Sequence, residues 1–238
     1  MPSLSQSQDV KAVVTGEVVH LPSLSIPIQR ALPALLSEAL DACELPSAHL
    51  TANLLGIQFF QTGQFQTVLD DPGAGFPVAL HMIAWLAGRK DEKGLPIHVR
   101  LAVGLGTIDF LDGKVNLFDR VSRRTFRGGG TAFLQSSRQL EIMRTGDRRI
   151  GVVTPWQEFN AELKVACLFL DHHIKRWSVD QAATILSLLR GETQGVAAAA
   201  LGVTQSAVAQ RFQRAGGKPI RAMLKRYKEM VNNKAKNI

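Results

Sequence analysis

At 238 residues, 45% of them hydrophobic, the chain is long enough to bury a substantial core as one large domain or two smaller ones. Lys and Arg outnumber Asp and Glu by 28 to 20, a net charge of +8, which favours a polyanionic partner. With 2 Cys and no apolar run approaching ~18 residues, the chain falls outside the disulfide-scaffold and helical membrane-spanning classes. The opening M1-P-S-L-S-Q-S-Q-D9 lacks the basic start and apolar stretch of a signal peptide, so a soluble cytoplasmic protein is expected.

Residues 10–20, V-K-A-V-V-T-G-E-V-V-H, predict a strand with an embedded glycine, and residues 26–43 a helix that Pro33 either kinks or begins. Two strand-like runs follow, around residues 50–62 and 65–69, separated near Gly63-Gln64. D71-P-G-A-G-F-P77 opens a helix over 78–87, residues 97–110 give another strand, and Asp112-Gly113 predicts a hairpin turn. Strand, helix, two strands, helix, strand is the succession of a ferredoxin-like α+β unit with helices on one face of an antiparallel sheet. A further helix over 131–144 and a short strand over 149–153 complete a first domain, residues 1–154. Cys43 and Cys167 lie in apolar helical patterns and are expected to be buried free thiols.

Gly128, Gly129 and Gly130, near Arg123, Arg124, Arg127 and Arg138, are candidates for a backbone nest and basic side chains holding phosphate. A flexible loop with solvated charges explains the same residues. Gly104 and Gly106 point to a helix packed close on a strand as readily as to a nucleotide. His172 and His173 end a helix over 157–174, where their dipoles suit the C-terminus. No Ser/His/Asp or Cys/His arrangement and no metal-ligand spacing stands out.

The last third, residues 155–238, is expected to be all-α. S178-V-D-Q-A-A-T-I-L-S-L-L-R-G191 has a Ser cap, an apolar stripe and a Gly stop. T193-Q-G-V-A-A-A-A-L-G-V-T204-Q-S-A-V-A-Q-R-F-Q-R214 follows, two short helices capped by Thr193 and Thr204 with a bend at Gly202. Ala197, Ala198, Leu201, Val203, Val208 and Phe212 suit the inside, which leaves Gln205, Ser206, Gln210, Arg211, Gln213 and Arg214 outside. K218-P-I-R-A-M-L-K-R-Y-K-E-M-V231 gives a final helix exposing Arg221, Lys225, Arg226 and Lys228. Residues 1–154 carry 15 Lys/Arg against 14 Asp/Glu, and residues 155–238 carry 13 against 6, so the surplus charge sits where these helices are.

That pattern is a helix-turn-helix signal with double-stranded DNA as the expected partner. Gln205, Ser206 and Gln210 are expected at base edges. Arg211 and Arg214 are expected on the backbone or a guanine, and Thr204, Lys218 and Arg221 beside them. One small module captures few phosphates and bases, so a homodimer is expected. A nucleotide-handling enzyme brought to DNA and a protein-interaction adaptor are the competing functions.

The chain resembles the SatD family, whose core is similar to the palm of class III nucleotide cyclases and diguanylate cyclases. T15-G-E-V-V-H20 resembles the family's Gly-Asp-Ile-Val strand, and T62-G-Q-F-Q-T-V-L69 its Gly-Asp-Glu-Phe-Gln-Gly-Leu-Leu segment. V99-R-L-A-V-G-L-G106 resembles the next, glycine-alternating strand, and G128-G-G-T-A-F-L-Q-S-S-R138 the late helix start. The resemblance spans residues 10–215 and implies a palm with two strand-borne carboxylates around Mg²⁺. Here those positions are Glu17 and Gly63, with neutral Gln64 beside the latter. The implied palm is therefore catalytically degenerate, with no metal or cofactor expected, and serves to dimerise or to sense a nucleotide or other small effector.

Overall fold

The computed structural model describes residues 10–43, 57–60, 63–90, 92, 94, 96–115 and 124–235. In chain order the elements are β1 (Lys11–Val18), α1 (Ile26–Asp41), β2 (Gln58–Phe59), β3 (Gln64–Leu69), α2 (Gly75–Ala87) and β4 (Val99–Gly106). There follow β5 (Phe110–Val115), β6 (Arg124–Gly129), α3 (Thr131–Thr145), β7 (Ile150–Val153) and α4 (Gln157–Ile174). Four helices close the chain: α5 (Val179–Leu189), α6 (Gln194–Leu201), α7 (Gln205–Arg214) and α8 (Gly217–Ala235). The molecule is mixed α+β.

The main sheet has the order β2-β3-β1-β4-β7. β1 lies antiparallel to both β3 and β4, and β7 joins β4 in parallel. Alternation along β1 sorts its side chains to two faces. Ala12 and Val14 join Leu101, Val103 and Leu105 in the large core with α1 and α2, whereas Val13 packs with Ala132 and Phe133 of α3. The two helices of the expected succession thus share one face, and α3 covers the other. Gly104 and Gly106 make that second layer tight: a Cβ on either would strike α3 at Thr131, Ala132 or Ser136. Helix packing, the expectation that needs no ligand, accounts for both glycines. Thr15 Oγ1 and Ser136 Oγ share a buried hydrogen bond of 2.7 Å across the same contact.

α2 is buried all round, 12 of its residues lying inside, because it has neighbours on every side. The sheet lies beneath it, and α1, α5 and α8 pack around it. Leu163, Cys167 and Ile174 of α4, Ala182 and Ile185 of α5, and Ile220, Met223 and Tyr227 of α8 belong to the same core as the sheet. The fully buried Tyr227 donates to the Pro72 carbonyl at 2.7 Å and packs on Phe76. The core therefore runs unbroken across residue 154.

Of three local expectations, one is overturned and two are met in part. Pro33 lies inside α1, which starts at Ile26 with Pro27 in the first turn, where a missing N–H leaves nothing unsatisfied. Asp112-Gly113 is not a turn: it sits within β5, opposite Arg127 and Phe126 of β6. A turn preference is local, and the ladder that the 110–115 segment gains with 124–129 overrides it. Of the strand expected over 50–62, Gln58–Phe59 is present as β2, and residues 50–56, 61 and 62 lie outside the described residues. Cys43 and Cys167 are buried free thiols, and burial pushes each up to about 12.

Candidate nucleic-acid interface

The residues between α4 and α8 build a small helical unit by local rules. Ser178 caps α5 in a reciprocal capping box with Gln181. The Thr193 hydroxyl accepts from Val196 N at the start of α6, and that of Thr204 accepts from Ala207 N at the start of α7. Between them Gly202 ends α6 at φ 64, ψ 34, a left-handed conformation that glycine adopts without a Cβ penalty. Ala197, Ala198 and Val208 form a cluster of their own with Val203 against it. Small alanines allow the two short helices to meet closely. Trp177 Nε1 donates to the Ala215 carbonyl at 2.9 Å, tying the end of α7 to the α4–α5 junction.

With Val208 inside, α7 turns Thr204, Gln205, Ser206, Gln210, Gln213 and Arg214 to solvent, and α8 adds exposed Lys218 and Arg221. Arg221 lies over the Phe212 ring at 5.4 Å from its centroid, which holds the guanidinium beside α7. Arg211 departs from the expected set. Its Nη2 pairs with Asp180 Oδ2 of α5 at 2.8 Å, and the residue is half-buried. Lying four residues after Ala207 and three after Val208, Arg211 is on the flank of α7, within reach of α5. Pair formation with a residue 31 positions away has no local sequence signature.

In the main sheet, Glu17, one residue before the end of β1, lies opposite Gln64, and Val18 N donates to the Gly63 carbonyl at 3.2 Å. The two positions that the resemblance assigns to metal carboxylates are therefore neighbours, but the residues do not fit a divalent ion. Gly63 offers no side chain. Glu17, largely buried, is held by Arg100 and by Arg144, whose Nε donates to Oε2 at 2.6 Å. The Glu17 hydrogen bond raises Arg144 above the usual arginine range. Arg100 and Arg149 also meet Asp147, whose carboxyl the Arg149 bond holds below the ordinary aspartate value. Two guanidiniums occupy the carboxylate oxygens that a cation would need. The sequence had shown the missing carboxylate at position 63. The arginines come from β4 and α3, 83 and 127 residues away from Glu17.

Gly128 and Gly129 belong to β6, paired with Leu111 and Phe110, and Gly130 precedes α3 at φ 137. This corrects both expectations for the triplet: two of the three glycines are in an extended ladder, neither in the alternating turn of a nest nor in a loop. A Cβ at 128 would strike Phe133, and one at 129 would strike Phe110, so both glycines make room for aromatic rings. Arg127 and Arg138 are exposed on β6 and α3, and Arg124 begins β6. His172 is exposed and lies against Arg176, whereas His173 packs on Gly216 where α7 meets α8. Among the described residues no helix is long and apolar enough to cross a membrane.

Among the solved structures that match are two of a bacterial light-regulated adenylyl cyclase. They match at TM-score 0.38 with 10% and 9% identity, over 60% of this chain and 74% and 42% of theirs. No family model and no curated protein matches the chain.

Proposed function

We propose that the protein is a sequence-specific DNA-binding regulator, in which residues 155–238 form a helix-turn-helix unit and residues 1–154 a catalytically degenerate, ferredoxin-like palm. One observation carries this reading: α7, capped, pinned through Val208 and set off from α6 by Gly202, presents Gln205, Ser206, Gln210 and Arg214 together, with Lys218 and Arg221 alongside. Amide side chains can make bidentate bonds to adenine, and flanking cations attract phosphate. Arg211 joins them only if DNA displaces Asp180, so we assign it to positioning α7.

The test is binding across a randomised duplex library at fixed salt. Gln205→Ala or Gln210→Ala should change sequence preference by about 1–3 kcal/mol at one position. Lys218→Ala should weaken all sites evenly and lower the salt slope by about 1. Unchanged preference in both glutamine variants would overturn the assignment of α7 as the recognition helix.

The competing functions have their own signatures. Nucleotide turnover that depends on Glu17 would favour an enzyme brought to DNA. Capture of the outer face of α7 by another protein, with no duplex affinity, would favour an adaptor.

A further inference from the structure

α4 carries a second apolar stripe besides the one it buries. Leu163, Cys167, Leu170 and Ile174 face the core, while on the far side Val165, Leu168 and Phe169 are 54%, 47% and 69% exposed. Glu158, Val165, Leu168, Phe169 and His172 follow one another at intervals that keep them on one face of α4, and Arg176 lies two residues past its end. Adjoining exposed apolar side chains on a single helix mark a surface built to be covered. α8 does not cover it, since Ile220, Met223, Tyr227, Met230 and Val231 are all spent inside the core.

The charge at the two ends of this stripe says what fits it. Glu158 stands at the start of α4, half exposed, with Lys234 Nζ at 2.7 Å as its partner in the chain. Arg176 stands just beyond the other end, with its guanidinium 2.6 Å from His172 Nδ1. In an antiparallel pair of α4 helices related by a two-fold axis level with Cys167, position 158 falls opposite 176, and 165 opposite 169. Each carboxylate then meets a guanidinium, and Val165 meets the partner's Phe169. A parallel pair would stack like charge on like charge. The face is thus complementary to itself in one orientation, as a closed two-fold interface requires.

We propose that this face of α4 is a homodimer interface, closed antiparallel on Val165, Leu168 and Phe169 with Glu158 against the partner's Arg176 at both ends. The occupant is a second copy of this chain. The interface rests on the DNA reading only for its purpose, which is to pair two recognition helices, and not for its geometry.

Sedimentation equilibrium of the full chain over a wide concentration range tests it. Phe169→Asp should raise the dimer Kd at least about 30-fold, the loss expected for a central aromatic anchor. An unchanged circular dichroism spectrum and Tm would show that the exposed position left the fold intact. Glu158→Arg and Arg176→Glu should each weaken self-association, and an equimolar mixture of the two should form a heterodimer tighter than either homodimer. A chain that is monomeric at every concentration, a dimer indifferent to Phe169→Asp, or charge variants that gain nothing on mixing would overturn the proposal. A dimer without duplex affinity would remove the DNA reading and leave this interface standing. A monomer with full duplex affinity would do the reverse.

Discussion

His81 is a histidine without a hydrogen-bond partner among the described residues. It is fully buried in α2, and burial, aided by the charge of Arg190, lowers it to about 4. Its folded value lies below the ordinary 6.5, so the unfolded chain takes up a proton first as pH falls. The contribution is nil above the unfolded value, grows unfavourable between about 6.5 and about 4, and then levels off. A full shift of that size corresponds to about 3 kcal/mol. Urea unfolding at pH 7.5 and pH 5 should therefore show a loss of stability on acidification that His81→Leu reduces. An equal loss in the variant would assign the pH dependence to other groups. At this scale the sequence was legible for caps and less so for partners. Ser178, Thr193, Thr204 and Gly202 could be placed because a cap bonds within three residues of itself. The Arg211–Asp180 pair could not.

At the scale of elements, the ends of β1 and β3 bear on whether a divalent ion can be held at the sheet edge. Strand pairing brings Glu17 beside Gly63 and Gln64, but the position next to Glu17 lacks a carboxylate, and Arg100 and Arg144 take the one that remains. Two-metal phosphoryl transfer needs hard, negative oxygen ligands free to bind cations. We expect no cyclic nucleotide or cyclic dinucleotide product after incubation with nucleoside triphosphates and Mg²⁺ or Mn²⁺, measured by chromatography. Product that disappears in Glu17→Gln would reverse this expectation. The helices of the last third and the succession of strands and helices along the first part of the chain were readable from apolar periodicity, because long amphipathic segments outweigh local exceptions. The β5–β6 ribbon was not. Asp-Gly is a turn signal to its immediate neighbours, and only pairing with a strand beyond the intervening segment placed it inside a ladder.

For the molecule as a whole, the continuous core predicts mutual dependence between the part before residue 154 and the part after it. α2 is apolar on all sides, and α5 and α8 cover what the sheet and α1 leave open. Removing α4 to α8 would expose that surface and leave the Pro72 carbonyl without the Tyr227 hydroxyl. A chain ending at residue 154 should bind a hydrophobic dye strongly and lack a cooperative thermal transition, whereas the full chain should unfold in one step. A well-folded, dye-silent 1–154 fragment would show instead that the shared core is a docking contact between independent units.

By itself, the amino-acid sequence determined what depends on neighbours along the chain. That includes the capped α5, α6 and α7, the polar outer face of α7, the excess charge of the last third, and the missing carboxylate at position 63. Helix periodicity, caps and glycine conformations act over a few residues, so their signals survive without the fold. Tertiary structure alone decided which distant groups meet. It set Arg100 and Arg144 on Glu17, turned Arg211 to Asp180, filled the space at Gly128 and Gly129 with aromatic rings, and buried Tyr227 beneath Pro72 while leaving Phe169 bare. Each of these is settled by which surfaces the packed helices and sheet bring within a few ångströms, a property of the whole chain that no window of sequence contains.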